Sequence, residues 1–387
     1  MAETASSRDP DQQYSPEPNI LERRAADYLR KQNPKASYPL QACRDEERIA
    51  LKRAGRQAII WSAIAGILSG AIIGGMEWFM RKGILDGMQD MTLMEQLPYW
   101  AGFFAVAGVV SAVEILFLYW NALRGVARIS RITGIPLQDS QYARLLLSGM
   151  SRVALELPSP RHRIYGIDPY AQMGRWKLAA ISVMYRMKVG VSSFILRVLM
   201  RRVFGRMALR GMLPLVTGPL YAIWNAIITW RIMRKAKVQA LGPYRIETLL
   251  HRLDADLDRL GSTARDVILQ GMGELIMRNQ DAHPSHVYLL SRLLDAFEAS
   301  DRELTIDWPE HRRQLDTLDE TEMHWVLEIL TVATVLGGTW RGRPRRFLQE
   351  VHEACGVALD EERLQARRKE MLEGRQPGWG FPQNRPS

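Results

Sequence analysis

The sequence predicts an all-α fold made of a transmembrane helical hairpin, basic membrane-proximal helices and a C-terminal cytoplasmic helical bundle. Three observations carry that expectation. Two long apolar stretches lie in the first third of the chain, cationic residues crowd the ends that face away from the loop between them, and the last third repeats apolar residues at helical spacing between Gly, Pro and Asp breaks.

The chain has 387 residues, 52 Lys+Arg against 42 Asp+Glu and a net charge of +10, so its partner is expected to be anionic. Cys43 and Cys355 stand far apart without a CxxC or a Cys/His cluster, which argues against a disulfide framework and a structural zinc. The first 40 residues open on a polar Ser/Pro/Asp-rich run with no apolar core and read as a largely disordered arm.

The hairpin occupies residues 41–135. Its first span runs from about Ala58 to Met80 and its second from Tyr99 to Leu123, each longer than the ~20 residues that cross ~30 Å of hydrocarbon. A buried pair in a soluble core is the alternative, but Trp61, Trp78, Tyr99, Trp100, Tyr119 and Trp120 sit at the span ends, where an interfacial aromatic belt belongs. Arg44, Arg48, Lys52, Arg53 and Arg56 precede the first span, and Arg124, Arg128 and Arg131 follow the second. Between the spans Arg81 and Lys82 are outnumbered by Asp86, Asp90 and Glu95, so the positive-inside rule puts both termini of this multi-pass protein in the cytoplasm.

Ser62, Gly66, Gly70 and Gly74 recur every fourth residue, a stripe flat enough for a second helix to approach closely. Ala101, Ala105, Gly108 and Ala112 form the expected matching face on the second span, within the chain or between copies. Glu77 and Glu114 are the two carboxylates at membrane depth. Glu77 is expected to reach the outer interface. Glu114 lies about 22 Å down its helix from Tyr99, so it is expected to accept hydrogen bonds from a neighbouring helix or to meet an Arg.

Residues 136–242 stay helical in pattern and turn basic, with helices expected over about Gln138–Leu157 and Pro169–Arg210. Leu196, Met200, Val203 and Met207 make an apolar stripe, while Arg197, Arg201, Arg202, Arg206 and Arg210 take other faces, as in a helix lying on an anionic inner leaflet or buried on one side in a protein core. The apolar segment Met212–Trp230 holds Pro214 and Pro219 and is followed by Arg231, Arg234 and Lys235, three more candidate lipid-surface cations. Cations on both sides would break the positive-inside rule if it crossed, so it reads as re-entrant, interfacial or packed on the hairpin.

The run Ala122–Pro136 (ALRGVARISRITGIP), with Met212–Gly242 and its Asn225 and Ala236, resembles the EcsC family of bacterial membrane-associated proteins over roughly Ile59–Gly242. The resemblance implies a membrane-linked helical module and supplies no catalytic residue; Pro219 and a thin glycine signature depart from the pattern.

Beyond Gly242-Pro243, residues 243–375 have a balanced charge and short amphipathic helices near Ile246–Leu260, Ser262–Arg278, Pro284–Ala299, Glu320–Leu336, Arg343–Cys355 and Asp360–Glu373. The rhythm of Leu327–Leu364 is similar to the TerB-like helical domain, although Gly337, Gly338 and Thr339 stand where that family has its acidic turn. The tail, 376–387, is Pro/Gly-rich and reads as disordered.

No GxxxxGK[ST], HExxH or GxSxG occurs. His283 and His286 flank Pro284 at a helix start, where exposure is expected. The sequence thus predicts no enzyme and no cofactor, but a membrane-anchored scaffold or regulatory module. Its expected partners are phospholipid and a protein or a second copy, not nucleic acid. A channel or transporter subunit using the glycine stripe and Glu114 is the alternative.

Overall fold

A computed structural model describes residues 18–33, 43–80, 82, 92–137, 142–157, 163–171, 173–174, 176, 213–300, 302–337 and 342–375. Among these residues the chain is all-helical, and the one β-type pairing is an isolated bridge between Ile164 and Ile167. The helices are α1 (Ile20–Gln32), α2 (Asp45–Phe79), α3 (Leu93–Thr133), α4 (Ala143–Ala154) and α5 (Leu213–Asp254). They are followed by α6 (Ser262–Asn279), α7 (Pro284–Ala296), α8 (Trp308–Arg313), α9 (Glu320–Leu336), α10 (Arg343–Ala354) and α11 (Glu361–Glu373). Two compact units result. One gathers Met1–Leu51, Ala127–Met173 and Arg234–Ser387; the other gathers Lys52–Val126 and Gly174–Met233.

In the first unit the helix ends are written in the sequence. Asn19 accepts from the Glu22 N–H to start α1, Asp360 accepts from Arg363 to start α11, and Asp319 with Glu322 closes a capping box on α9. Gln280 (φ 53°) ends α6 and Gly374 (φ 70°) ends α11 in the left-handed region. The core centres on α6, whose Val267, Ile268, Met272 and Leu275 are buried with Ile329 and Leu330 of α9 and Phe347 and Val351 of α10. Trp308 packs against Phe347 with ring centroids 5.2 Å apart and ring planes tilted by 55°.

Several expectations need correction here. The first 40 residues are not simply an arm: α1 packs on α4, burying Ala25 and Leu29, and its buried Glu22 accepts from Ser148 Oγ (2.6 Å) and Arg152 Nε (2.8 Å). Pro169 lies in a turn, not a helix, after a tight turn in which Tyr165 and Gly166 both have positive φ; most of the stretch expected as helix to Arg210 lies outside the described residues. The expected break at Gly242-Pro243 does not occur, since α5 runs through it to Asp254. Proline there forfeits a backbone hydrogen bond. Packing compensates: both residues are buried, and a Cβ on Gly242 would come within 2.7 Å of Ser285 Oγ.

The second unit is built from the long apolar parts of α2, α3 and the first half of α5. Both α2 and α3 outrun the expected spans, starting at Asp45 and ending at Thr133, because cationic amphipathic turns continue each apolar helix.

Candidate functional site

Among the described residues of the second unit, polar side chains within the apolar segments are buried while many large apolar ones are exposed, unlike the pattern of a water-soluble bundle. Ser62, Ser69, Glu77, Glu114, Asn121, Asn225 and Thr229 are buried. Ile60, Ile67, Leu68 and Ile72 of α2, Val109, Val113 and Leu116 of α3, and Ile223 and Ile227 of α5 are exposed.

Two groups of hydrogen bonds tie the three helices together. In the first, Asn121 Nδ2 of α3 donates to the Ala58 carbonyl (2.8 Å) and to Ser62 Oγ (2.9 Å) of α2, and Thr229 Oγ1 of α5 donates to Ser62 Oγ (2.7 Å). In the second, Asn225 Nδ2 of α5 donates to Glu114 Oε1 of α3 at 2.7 Å. Thr229 and Asn225 are one helical turn apart, so one face of α5 serves both groups.

The small stripe on α2 receives α5. A Cβ added at Gly66 would lie 2.6 Å from the Tyr221 carbonyl carbon, and one added at Gly70 would lie 2.7 Å from Gly218 Cα. Gly74 is also buried. The partner of this stripe is therefore α5 and not the small residues expected on the second span. Ala101, Ala105, Gly108 and Ala112 face outward, with open space around Gly108. The inward line on α3 is instead Phe103, Ala107, Glu114 and Asn121, because on that side the carboxylate and the amide meet hydrogen-bond partners.

Glu77 is buried, not turned to an interface: it shares a face of α2 with Ile73 and Met80, which form an apolar cluster with Phe103 and Ala107. Sequence reasoning missed Asn121, Asn225 and Thr229 as bonding partners. The available signal was a polar residue beside a tryptophan within an apolar run: Asn121 beside Trp120 in the second span, and Asn225 beside Trp224 and Thr229 beside Trp230 in Met212–Trp230. Of the candidate lipid-surface cations, Arg231 and Lys235 are exposed on α5 and Arg234 is half-buried. Arg197, Arg201, Arg202, Arg206 and Arg210 lie outside the described residues.

Titratable groups in the first unit are held by its packing. His286 is fully buried, contrary to the exposure expected at the start of α7, because its ring fills the space left by Gly337 and its Nε2 meets the Ala333 carbonyl at 2.8 Å. Burial lowers its pKa to about 3, and burial plus the Lys235 charge lowers that of His283 to about 4. Glu328 of α9 is fully buried between Arg252 (3.5 Å) and Arg367 (3.6 Å), so one carboxylate joins α5, α9 and α11. Among the described residues no three His, Cys, Asp or Glu side chains converge as metal ligands.

No family model matches the chain, and no curated protein or solved structure matches it.

Proposed function

We propose that this protein is an integral protein of a bacterial inner membrane whose helical first unit, on the cytoplasmic side, acts as a non-enzymatic scaffold or regulatory module for a protein partner. The inside-out polarity of the second unit carries the membrane part of this reading. Two helices are long and apolar enough to cross a bilayer, and only 33% and 11% of their most apolar windows are buried within the chain. The core helices of a soluble protein would bury most of that surface. Each exposed Val, Leu or Ile here would lose on the order of 2 kcal/mol in water relative to a nonpolar surround.

Orientation rests on charge. Arg53, Arg56, Arg124, Arg231 and Lys235 are all exposed beyond the Trp-bearing ends of the apolar segments, as the inner leaflet favours. The resemblance to EcsC proteins, as a membrane-linked helical module, agrees with this. A scaffold role is supported by ion pairs that join helices of the first unit: the buried Glu328 with Arg252 and Arg367, the buried Glu22 with Arg152, and the half-buried Glu247 with Arg292 at 2.9 Å.

A channel or transporter subunit is the second reading, favoured by the intramembrane Glu114–Asn225 pair. One pair of experiments separates them. Crosslinking in native membranes is expected to capture a defined partner on the first unit, and purified protein in vesicles is expected to pass no more ion current than empty vesicles. A chain that emerges alone and monomeric removes the scaffold reading, and a flux abolished by Glu114→Gln establishes the channel.

A further inference from the structure

We infer that the first half of α5 is a third membrane-embedded helix, antiparallel to the α2 span and parallel to the α3 span, with its Ile223–Ile227 face against lipid acyl chains. The inference rests on the membrane reading above and extends it to a segment that the sequence left open. Its first support is register. Thr229 bonds Ser62, Tyr221 lies against Gly66 and Gly218 against Gly70, so α5 descends as α2 rises. Asn225 bonds Glu114, and Met233 packs where a Cβ on Gly125 would sit 2.7 Å from its Sδ, so α5 and α3 run the same way.

Depth is the second support. Ser62, Asn121 and Thr229 form one hydrogen-bonded junction, and each is the sequence neighbour of an exposed tryptophan, Trp61 (54% exposed), Trp120 (49%) and Trp230 (49%). Three tryptophans from three helices are thereby held at about one level, as an interface requires, with Arg124 lying over the Trp120 ring at 5.2 Å. From Trp230 back to Leu213 a helix rises about 26 Å, most of the ~30 Å of hydrocarbon. Pro214 falls in the first turn of the helix, where proline loses least, and Pro219, in the second turn, forfeits one backbone hydrogen bond without ending the helix.

Polarity is the third. Asn225 and Thr229 face the other two helices, while Ile223 (57% exposed) and Ile227 (47%) face away. In water that arrangement exposes apolar surface and buries amide and hydroxyl; in lipid it is the favourable one.

Site-directed spin labelling tests this. The full chain, with Cys43 and Cys355 replaced by Ser, carries single labels at Ile223, Ile227, Val109, Leu116 or Lys235 in phosphatidylethanolamine/phosphatidylglycerol vesicles. All five side chains are exposed, so labels there leave the interior intact. At Ile223 and Ile227 the ratio of oxygen to aqueous nickel-chelate relaxation is expected to match Val109 and Leu116 and to exceed that at Lys235 several-fold. Aqueous accessibility at 223 and 227, with 109 and 116 still lipid-like, overturns the third helix alone. Aqueous accessibility at all four overturns the membrane reading with it. Dipolar broadening with neither reagent admitted means that a second copy covers the face, and lipid as its occupant is wrong.

Discussion

Gly66 and Gly70 set how near α5 comes to α2, because at both positions the nearest atoms to a new Cβ are backbone. Backbone cannot rotate aside as a side-chain tip can. Gly66→Ala is therefore expected to lower stability by about 1–3 kcal/mol through overpacking, while Gly108→Ala, which meets open space, stays within about 0.5 kcal/mol of the parent. Thermal unfolding in detergent compares the two; equal effects would mean the close approach does not exist. Glu328 is the corresponding residue in the first unit. Replacing it with Ala removes the buried carboxylate that Arg252 and Arg367 share, and is expected to destabilise by about 3–5 kcal/mol. Arg252→Met alone should be milder, because Arg252 is about a third exposed and its charge can reach water.

At the scale of helices, hydrogen bonding within an apolar surround decides which face turns inward. Ser62→Ala removes the acceptor shared by Asn121 and Thr229 and should weaken association of the three helices by roughly 1 kcal/mol, the range of such bonds in membranes. A melting temperature unchanged from the parent would count against the junction. Helix identity and ends were legible in the sequence wherever caps and breaks are local: α6, α7, α9, α10 and α11 begin within a residue of expectation and end within three. What was not legible depends on distant residues. The small face of α3 looked like the natural partner of the α2 stripe, yet Glu114 and Asn121 claim the inward side. Pro243 looked like a break, yet α5 continues through it among buried neighbours of the first unit. Helix α1 has a cap and an amphipathic pattern of its own, but the Pro/Ser-rich run before it obscured both.

Across the whole molecule, the two units carry opposite burial patterns. Among the described residues the first buries its apolar residues and holds three histidines of depressed pKa, His283, His286 and His352; the second buries polar residues of its apolar segments and exposes much of its apolar surface. The histidines give the first unit an acid limit. Their folded pKa values, about 4 for His283 and His352 and about 3 for His286, lie below the ordinary 6.5, so below pH 6.5 the unfolded chain takes up more protons than the folded one. Stability is therefore full above pH 6.5 and declines as pH falls toward 4 and then 3, by an amount on the order of a few kcal/mol. His286→Gln, which keeps a donor for the Ala333 carbonyl but does not titrate, should lower stability at neutral pH and flatten that decline. An unchanged slope in urea titrations between pH 6.5 and 4 would assign the acid response elsewhere.

The exposed apolar surface of the second unit is what would hold the chain in a bilayer, and partitioning of the full chain measures it directly. Expressed in a bacterium, the protein is expected to sediment with membranes, to resist extraction by alkaline carbonate and by urea, and to enter solution only with detergent. Recovery as a stable monomer in detergent-free buffer would contradict it.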